Sequence, residues 1–200
     1  MRKSGILMHI SSLPSEYGIG KMGSSAYDFV DFLVQSGVKC WQILPLSPTS
    51  YGDSPYQSFS VYAGNPYFID FDALKQEGLL KKSDYQNIKW QDNPNQVNYS
   101  RIYENCYKVL KIAYKTYRRD ISKKYGSFVE KNKDWLEDYA LFMALKFKND
   151  GKPWYEWDEK LAFREPAAIE KAKQELKKDI EFFKFIPVSY THLTLPTILR

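Results

Sequence analysis

Residues 47–66 hold Tyr51, Asp53, Ser54, Tyr56, Ser58, Phe59, Tyr62 and Asn65 between Pro48 and Pro66. Most connections in compact domains take about 4–6 residues, so this loop is too long for a simple turn. It is also too rich in large rings for a flexible linker. Flat aromatic plates interleaved with short hydrogen-bonding side chains suit a sugar, which offers an apolar C–H face and a hydroxyl rim. The loop is therefore a candidate carbohydrate contact on chemistry alone.

Other chemistries find less support. Cys40 and Cys106 have neither metal-ligand spacing nor a disulfide framework, and their apolar neighbours predict two buried thiols. His9 lies in an apolar run and reads as a core histidine. No metal or cofactor is implied. The chain of 200 residues carries 29 basic and 24 acidic groups, with the positive excess lying mainly in residues 81–150. Cations at 108, 111, 115, 118, 119, 123 and 124 oppose a tyrosine stripe, the pattern of a solvated helix face, and no nucleic-acid motif accompanies them. No run approaches the 18 or so apolar residues of a membrane span. The apolar run from Ile6 to Ile10 is too short for an export signal, so a cytoplasmic protein is expected.

The elements that must hold the loop begin at the first residues. Gly5–Ile10 reads as a buried strand, and Ser25 with Asp28 as the capping box of a helix that Gly37 stops. A second strand, Val38 to Leu46, leads into the aromatic loop. Strand, helix and strand with short joints make a βαβ unit with parallel strands, hence an α/β fold. Pro66–Phe71 suggests one more strand, with Asp70 and Asp72 at its end. Helical spacing then dominates. One stripe runs Tyr103, Tyr107, Leu110, Tyr114, Tyr117, Ile121 within residues 99–124, and a second occupies Trp135 to Phe147. A third starts at Pro166 and buries Ile169, Ala172, Leu176, Ile180 and Phe183. Trp41, Trp154 and Trp157 are read as packing residues between the strands and the helices.

Residues 187–200 (PVSYTHLTLPTILR) carry no acid, three threonines and two prolines, directly after a Lys/Glu-rich helix that Pro187 should break. They read as a non-native tail and are set aside from fold reasoning.

Four motifs in order resemble the amylomaltase family of bacterial 4-alpha-glucanotransferases: SGILMHISSLP at 4–14, YGIG at 17–20, WQILPL at 41–46 and YGDSPYQSFS at 51–60. The similarity runs from residue 4 to about 186 and is densest before residue 72. The resemblance implies a (β/α)8 barrel of the α-amylase type with helical insertions. It implies transfer of α-1,4-glucan segments between maltooligosaccharides through a covalent glycosyl-enzyme. Residues 1–72 would then begin the barrel and 73–186 form a mostly helical insertion. Loops 11–23 and 47–66 both follow strands, which in such barrels places them on the face that carries the site.

By that resemblance Ser54 and Tyr56 contact the sugar beside the cleaved bond. Tyr51 belongs to an outer glucan-binding groove, and Asp53 shares the motif with a structural role equally open. The family's nucleophilic aspartate, acid/base glutamate and third aspartate lie further along, so no catalytic residue is assigned within this chain. A retaining site needs two carboxyls about 5–5.5 Å apart. Expressed alone, the chain is expected to be an inactive N-terminal fragment of a glucan transferase needing no cofactor. A non-catalytic glucan-binding module and a hydrolytic or debranching relative of the same barrel class remain the alternatives.

Overall fold

The computed structural model describes residues 3–118 and 123–198. The chain divides into two compact units, residues 1–120 with 189–200, and residues 121–188.

The first unit opens with the expected parallel pair. Strand β1 (Gly5–Leu7) pairs with β2 (Cys40–Gln42) in the register Gly5 to Cys40, Ile6 to Trp41 and Leu7 to Gln42. Helix α1 (Ser24–Gln35) connects them. Both strands are shorter than the apolar runs that announced them. Ile10–Ser12 winds into a 3-10 turn through Ser12 N–H to His9 O and Leu13 N–H to Ile10 O. Three residues past the end of β2, Pro45 has no N–H to donate to a ladder.

α1 starts at Ser24 with Gly23 as its N-cap and no side-chain cap, so the Ser25–Asp28 capping box does not form. Its stop is where expected. Gly37 adopts φ +70°, and the N–H of Val38 returns to Leu33 O.

The expected strand over Pro66–Phe71 is instead a 3-10 turn, Pro66–Phe68, followed by helix α2 (Phe71–Gln76). The physical reason is capping. Asn65 accepts from the N–H of Tyr67, and Asp70 from that of Asp72, so each side chain starts a helical turn. Asp70 and Asp72 thus sit at a helix start rather than a strand end.

Helix α3 (Tyr99–Tyr117) buries Ile102, Cys106, Tyr107, Val109, Leu110 and Ala113. The buried stripe is rotated from the tyrosine stripe, and Tyr103 is exposed. The cations at 108, 111, 115 and 118 are exposed, as a solvated face requires. Position 119 and Ile121 lie outside the described residues. α3 holds against the Pro66–Phe68 turn through Cys106 Sγ, which approaches Pro66 O at 3.5 Å. Cys106 is buried as expected, but Cys40 is exposed, because β2 has a partner on one side only.

The second unit contains α4 (Lys123–Lys131), α5 (Lys133–Lys148), α6 (Glu159–Ala162), α7 (Pro166–Glu175) and α8 (Lys177–Ile198) up to residue 188. Leu136, Ala140, Met143 and Ala144 line the buried side of α5. Phe147 packs on Phe183 with ring centroids 5.0 Å apart. Lys184, nearly buried, is held by Glu137 at 2.5 Å and Glu181 at 3.0 Å. The third expected helix is two, because Leu176 leaves helical geometry between α7 and α8. α8 runs through Pro187 without ending there, contrary to expectation; the proline forfeits its own N–H bond and the helix carries on. Trp157 lies against Phe142 at 5.6 Å, whereas Trp154 is exposed and is not a packing residue.

Candidate functional site

Loop 47–66 is braced from within. The N–H of Ser50 donates to Gln57 O at 2.9 Å, and Thr49 and Ser58 form an antiparallel bridge. The tip turns through Asp53 N–H to Ser50 O and Gln57 N–H to Ser54 O. Ser60 Oγ accepts from the N–H groups of Tyr62 and Ala63, and the N–H of Asn65 closes the base on Leu46 O at 2.8 Å. Such bracing holds a loop in shape without burying it.

The four sequence-predicted residues share the tip. Tyr51 is 96% exposed and Tyr56 is 74% exposed, a large apolar area to leave in water. Ser54 Oγ accepts from the N–H of Tyr56 at 3.4 Å, tying those two together. Asp53 takes a left-handed backbone, φ 55°, which aspartate tolerates better than bulkier residues. Its carboxylate accepts weakly from Thr49 Oγ1 at 3.4 Å, and burial pushes its pKa up from the ordinary value. The structural role open to Asp53 is therefore visible. Neither Tyr51 nor Tyr56 has a ring contact among the described residues.

His9 is buried edge-on against Phe68, with centroids 5.3 Å apart, and burial lowers its pKa. It is a core residue, though its Nδ1 has no hydrogen-bond partner. Trp41 donates from Nε1 to Met8 O at 2.7 Å and meets Phe29 edge-on, which fixes it as packing.

Sequence reading missed a cluster on the 11–23 loop. Asp72 accepts from Tyr17 at 2.5 Å, from Tyr85 at 2.7 Å and from Lys82 at 3.3 Å. Burial alone would raise the Asp72 pKa, but these three donors outweigh it and hold the carboxyl below its ordinary value. Lys21 is buried, with Nζ 2.7 Å from Tyr67 O and 4.1 Å from the Phe71 ring centroid. Desolvation lowers its pKa. The one available signal was the Asp-Phe-Asp spacing at 70–72, which reads as a helix start.

Among the described residues, no group of three or more His, Cys, Asp or Glu is placed to hold a metal ion, and no helix is long and apolar enough to cross a membrane.

The 4-alpha-glucanotransferase family profile, Glyco_hydro_77, matches residues 8–192. The chain belongs to the 4-alpha-glucanotransferase family. A 4-alpha-glucanotransferase of Clostridium butyricum is 50% identical over 183 residues, covering 92% of this chain and 38% of the relative. That of Thermus thermophilus is 42% identical over 188 residues, covering 92% and 37%. The solved amylomaltase from Streptococcus agalactiae in complex with acarbose is 43% identical, with a TM-score of 0.92 over 96% of this chain and 39% of that one. The chain therefore spans less than two fifths of the length of these family members.

Proposed function

We propose that this chain supplies the aromatic substrate platform of a 4-alpha-glucanotransferase that moves α-1,4-glucan segments between maltooligosaccharides. The reaction would be a retaining double displacement requiring no metal or cofactor, because carboxylates and bound sugar suffice. The observation that carries the reading is the braced loop 47–66, which holds Tyr51 and Tyr56 bare on a chain of this family. Tyr56 packs on a glucose ring, Ser54 and Asp53 bond its hydroxyls, and Tyr51 takes a more distant residue of the same glucan. The acarbose bound by the Streptococcus agalactiae relative supports a glucan-type ligand. No catalytic residue of the transfer is assigned within these residues.

In this reading residues 1–72 begin a (β/α)8 barrel, which the parallel β1–α1–β2 unit supports. Residues 73–186 are its helical insertion and 187–200 a non-native tail, supported by the shift in composition. The whole protein works in the cytoplasm, without nucleic-acid or membrane partners.

The test is maltotriose binding, followed by tryptophan fluorescence on the chain and its Tyr56→Ala variant. Affinity should fall at least tenfold with stability within about 0.5 kcal/mol, as for an exposed side chain. Equal affinity for both proteins would remove Tyr56 from the platform. Glucose release from maltotriose by the 200-residue chain would refute the placement of the catalytic groups elsewhere.

A further inference from the structure

The second unit leaves two large rings in water side by side. Trp154 is 52% exposed and Tyr155 70%, both on the 3-10 turn Trp154–Glu156. Their ring centroids lie 5.9 Å apart with planes 79° apart, so the rings meet as a corner. Among the described residues, neither the Trp154 indole N–H nor the Tyr155 hydroxyl is bonded to protein.

The fold holds this corner outward from beneath. The N–H of Trp157 returns to Trp154 O at 3.2 Å, and Trp157 Nε1 donates to Lys152 O at 3.0 Å. The Trp157 ring itself lies inward, against Phe142. Gly151, at φ +76°, leaves α5 with its N–H on Lys146 O at 2.8 Å, and its carbonyl accepts from Lys146 Nζ at 2.7 Å. α6 packs against the same turn. Rings on so braced a turn lose little freedom when a ligand arrives.

The setting narrows the ligand. Lys152, Glu156, Asp158, Glu159 and Lys160 are exposed and mix both signs, so neither an anion nor a cation is drawn. A protein partner needs more surface. Even with Phe163 exposed at the end of α6, rings of about 150–250 Å² each, only partly bare, fall short of the roughly 800 Å² per partner of a stable interface. A sugar needs only ring faces for its C–H surface and an indole or phenol for its hydroxyls. The corner adds shape. A straight chain reaches one of two perpendicular faces, whereas a bent chain touches both. α-1,4-Linked glucose curves, and β-1,4-linked glucose runs straight.

We propose that the Trp154–Tyr155 corner binds the flank of an α-1,4-glucan chain, as a contact independent of loop 47–66. The choice of glucan among neutral polyols rests on the function proposed above.

The experiment is affinity electrophoresis of the 200-residue chain in native gels with and without soluble amylose. Tyr56→Ala should still be retarded. Adding Trp154→Ala with Tyr155→Ala should weaken that remaining retention about tenfold, the effect of losing two stacking rings. A second measurement leaves the corner intact. Trp154 alone of the five tryptophans is exposed, so iodide should quench it selectively. Maltoheptaose should cut that quenching several-fold in Tyr56→Ala, and unchanged quenching would overturn the corner site. Complete loss of retardation in Tyr56→Ala alone would also overturn it, and leave the loop reading standing. Retardation untouched by Tyr56→Ala but abolished by the paired alanines would sustain the corner and sink the loop reading. No retardation of the wild type would reject both. Equal retardation by hydroxyethyl cellulose, a soluble β-1,4-glucan, would overturn the α-glucan assignment. A lower particle mass for the paired alanines with unchanged amylose retention would reassign the rings to contact between copies.

Discussion

The Tyr17 hydroxyl donates to Asp72 Oδ2 at 2.5 Å across 55 positions of sequence, and the Tyr85 hydroxyl reaches Oδ1 of the same carboxylate at 2.7 Å. Tyr85 is fully buried, and its ring meets Tyr17 edge-on at 5.5 Å. One charged acceptor therefore locks three segments, the 11–23 loop, the start of α2 and the 82–90 stretch. Lys82 Nζ closes the arrangement, 2.8 Å from the Tyr17 hydroxyl.

Replacing Asp72 by Asn keeps the shape and removes the charge. Hydrogen bonds to a charged group contribute about 1.5–3 kcal/mol, and the half-exposed position of Asp72 argues for the low end. Asp72→Asn should therefore cost about 1.5 kcal/mol at pH 7 by urea unfolding. The wild-type carboxyl sits below its ordinary pKa in the folded state. Its contribution is thus complete above the unfolded value of about 3.9 and fades as pH falls through the folded value. The two proteins should converge in stability on acidification below pH 4. A gap independent of pH would assign the loss to packing.

Lys21 titrates with the opposite sense. Desolvation lowers its folded pKa, so the folded state prefers the neutral amine. Stability should rise with pH from the folded value toward the unfolded value of about 10.4. Lys21→Met lacks that proton. Unfolding curves between pH 7 and 10 should show the wild type gaining on the variant as pH rises. Parallel curves would mean that Lys21 stays fully charged against the Phe71 ring.

The parallel β1–α1–β2 unit and the Gly37 stop were readable, because apolar period and a left-handed glycine are local signals. The exposed tyrosine loop was readable for the same reason. Pro66–Phe71 was misread because Asn65 and Asp70 act through side-chain caps, which outweigh the apolar look of Phe68 and Phe71. Of the α3 stripe, Tyr107 and Leu110 are buried as read, but Tyr103 is exposed, because tyrosine suits either face and burial extended to Ile102, Cys106 and Val109. The Tyr17–Asp72–Tyr85 lock was invisible: its partners are far apart in sequence and follow no period.

Two glycines separate steric from conformational need. A Cβ on Gly20 would lie 1.8 Å from Ile10 O and 2.9 Å from Leu13 N, both backbone atoms that cannot swing aside. Gly20→Ala should cost upward of about 3 kcal/mol, the severe end of overpacking. Gly52 has open space around its Cβ position but φ +86°, so Gly52→Ala should cost only about 1–2 kcal/mol. Chemical denaturation of both variants checks the order. A reversed ranking would mean that the 11–23 loop relaxes freely around residue 20.

The outer face of the first βαβ unit sets the last expectation. Parallel sheets occur almost only with both faces covered. Here Leu7 is 60% exposed, and on α1 Phe32 is 53% and Val34 70% exposed. The Phe32 ring stacks on Phe29, with centroids 6.1 Å apart. Apolar surface of this kind drives copies together when nothing else covers it. The chain should therefore form oligomers at tens of micromolar, measured by dynamic light scattering. Phe32→Lys with Val34→Lys should at least halve the mean particle mass and shift unfolding by less than about 0.5 kcal/mol, since both positions face solvent. Particles of equal mass in the two proteins would show that association, if present, runs through another surface. Added salt separates the cases further: hydrophobic association strengthens in sulfate, whereas contacts through the basic face of α3 weaken.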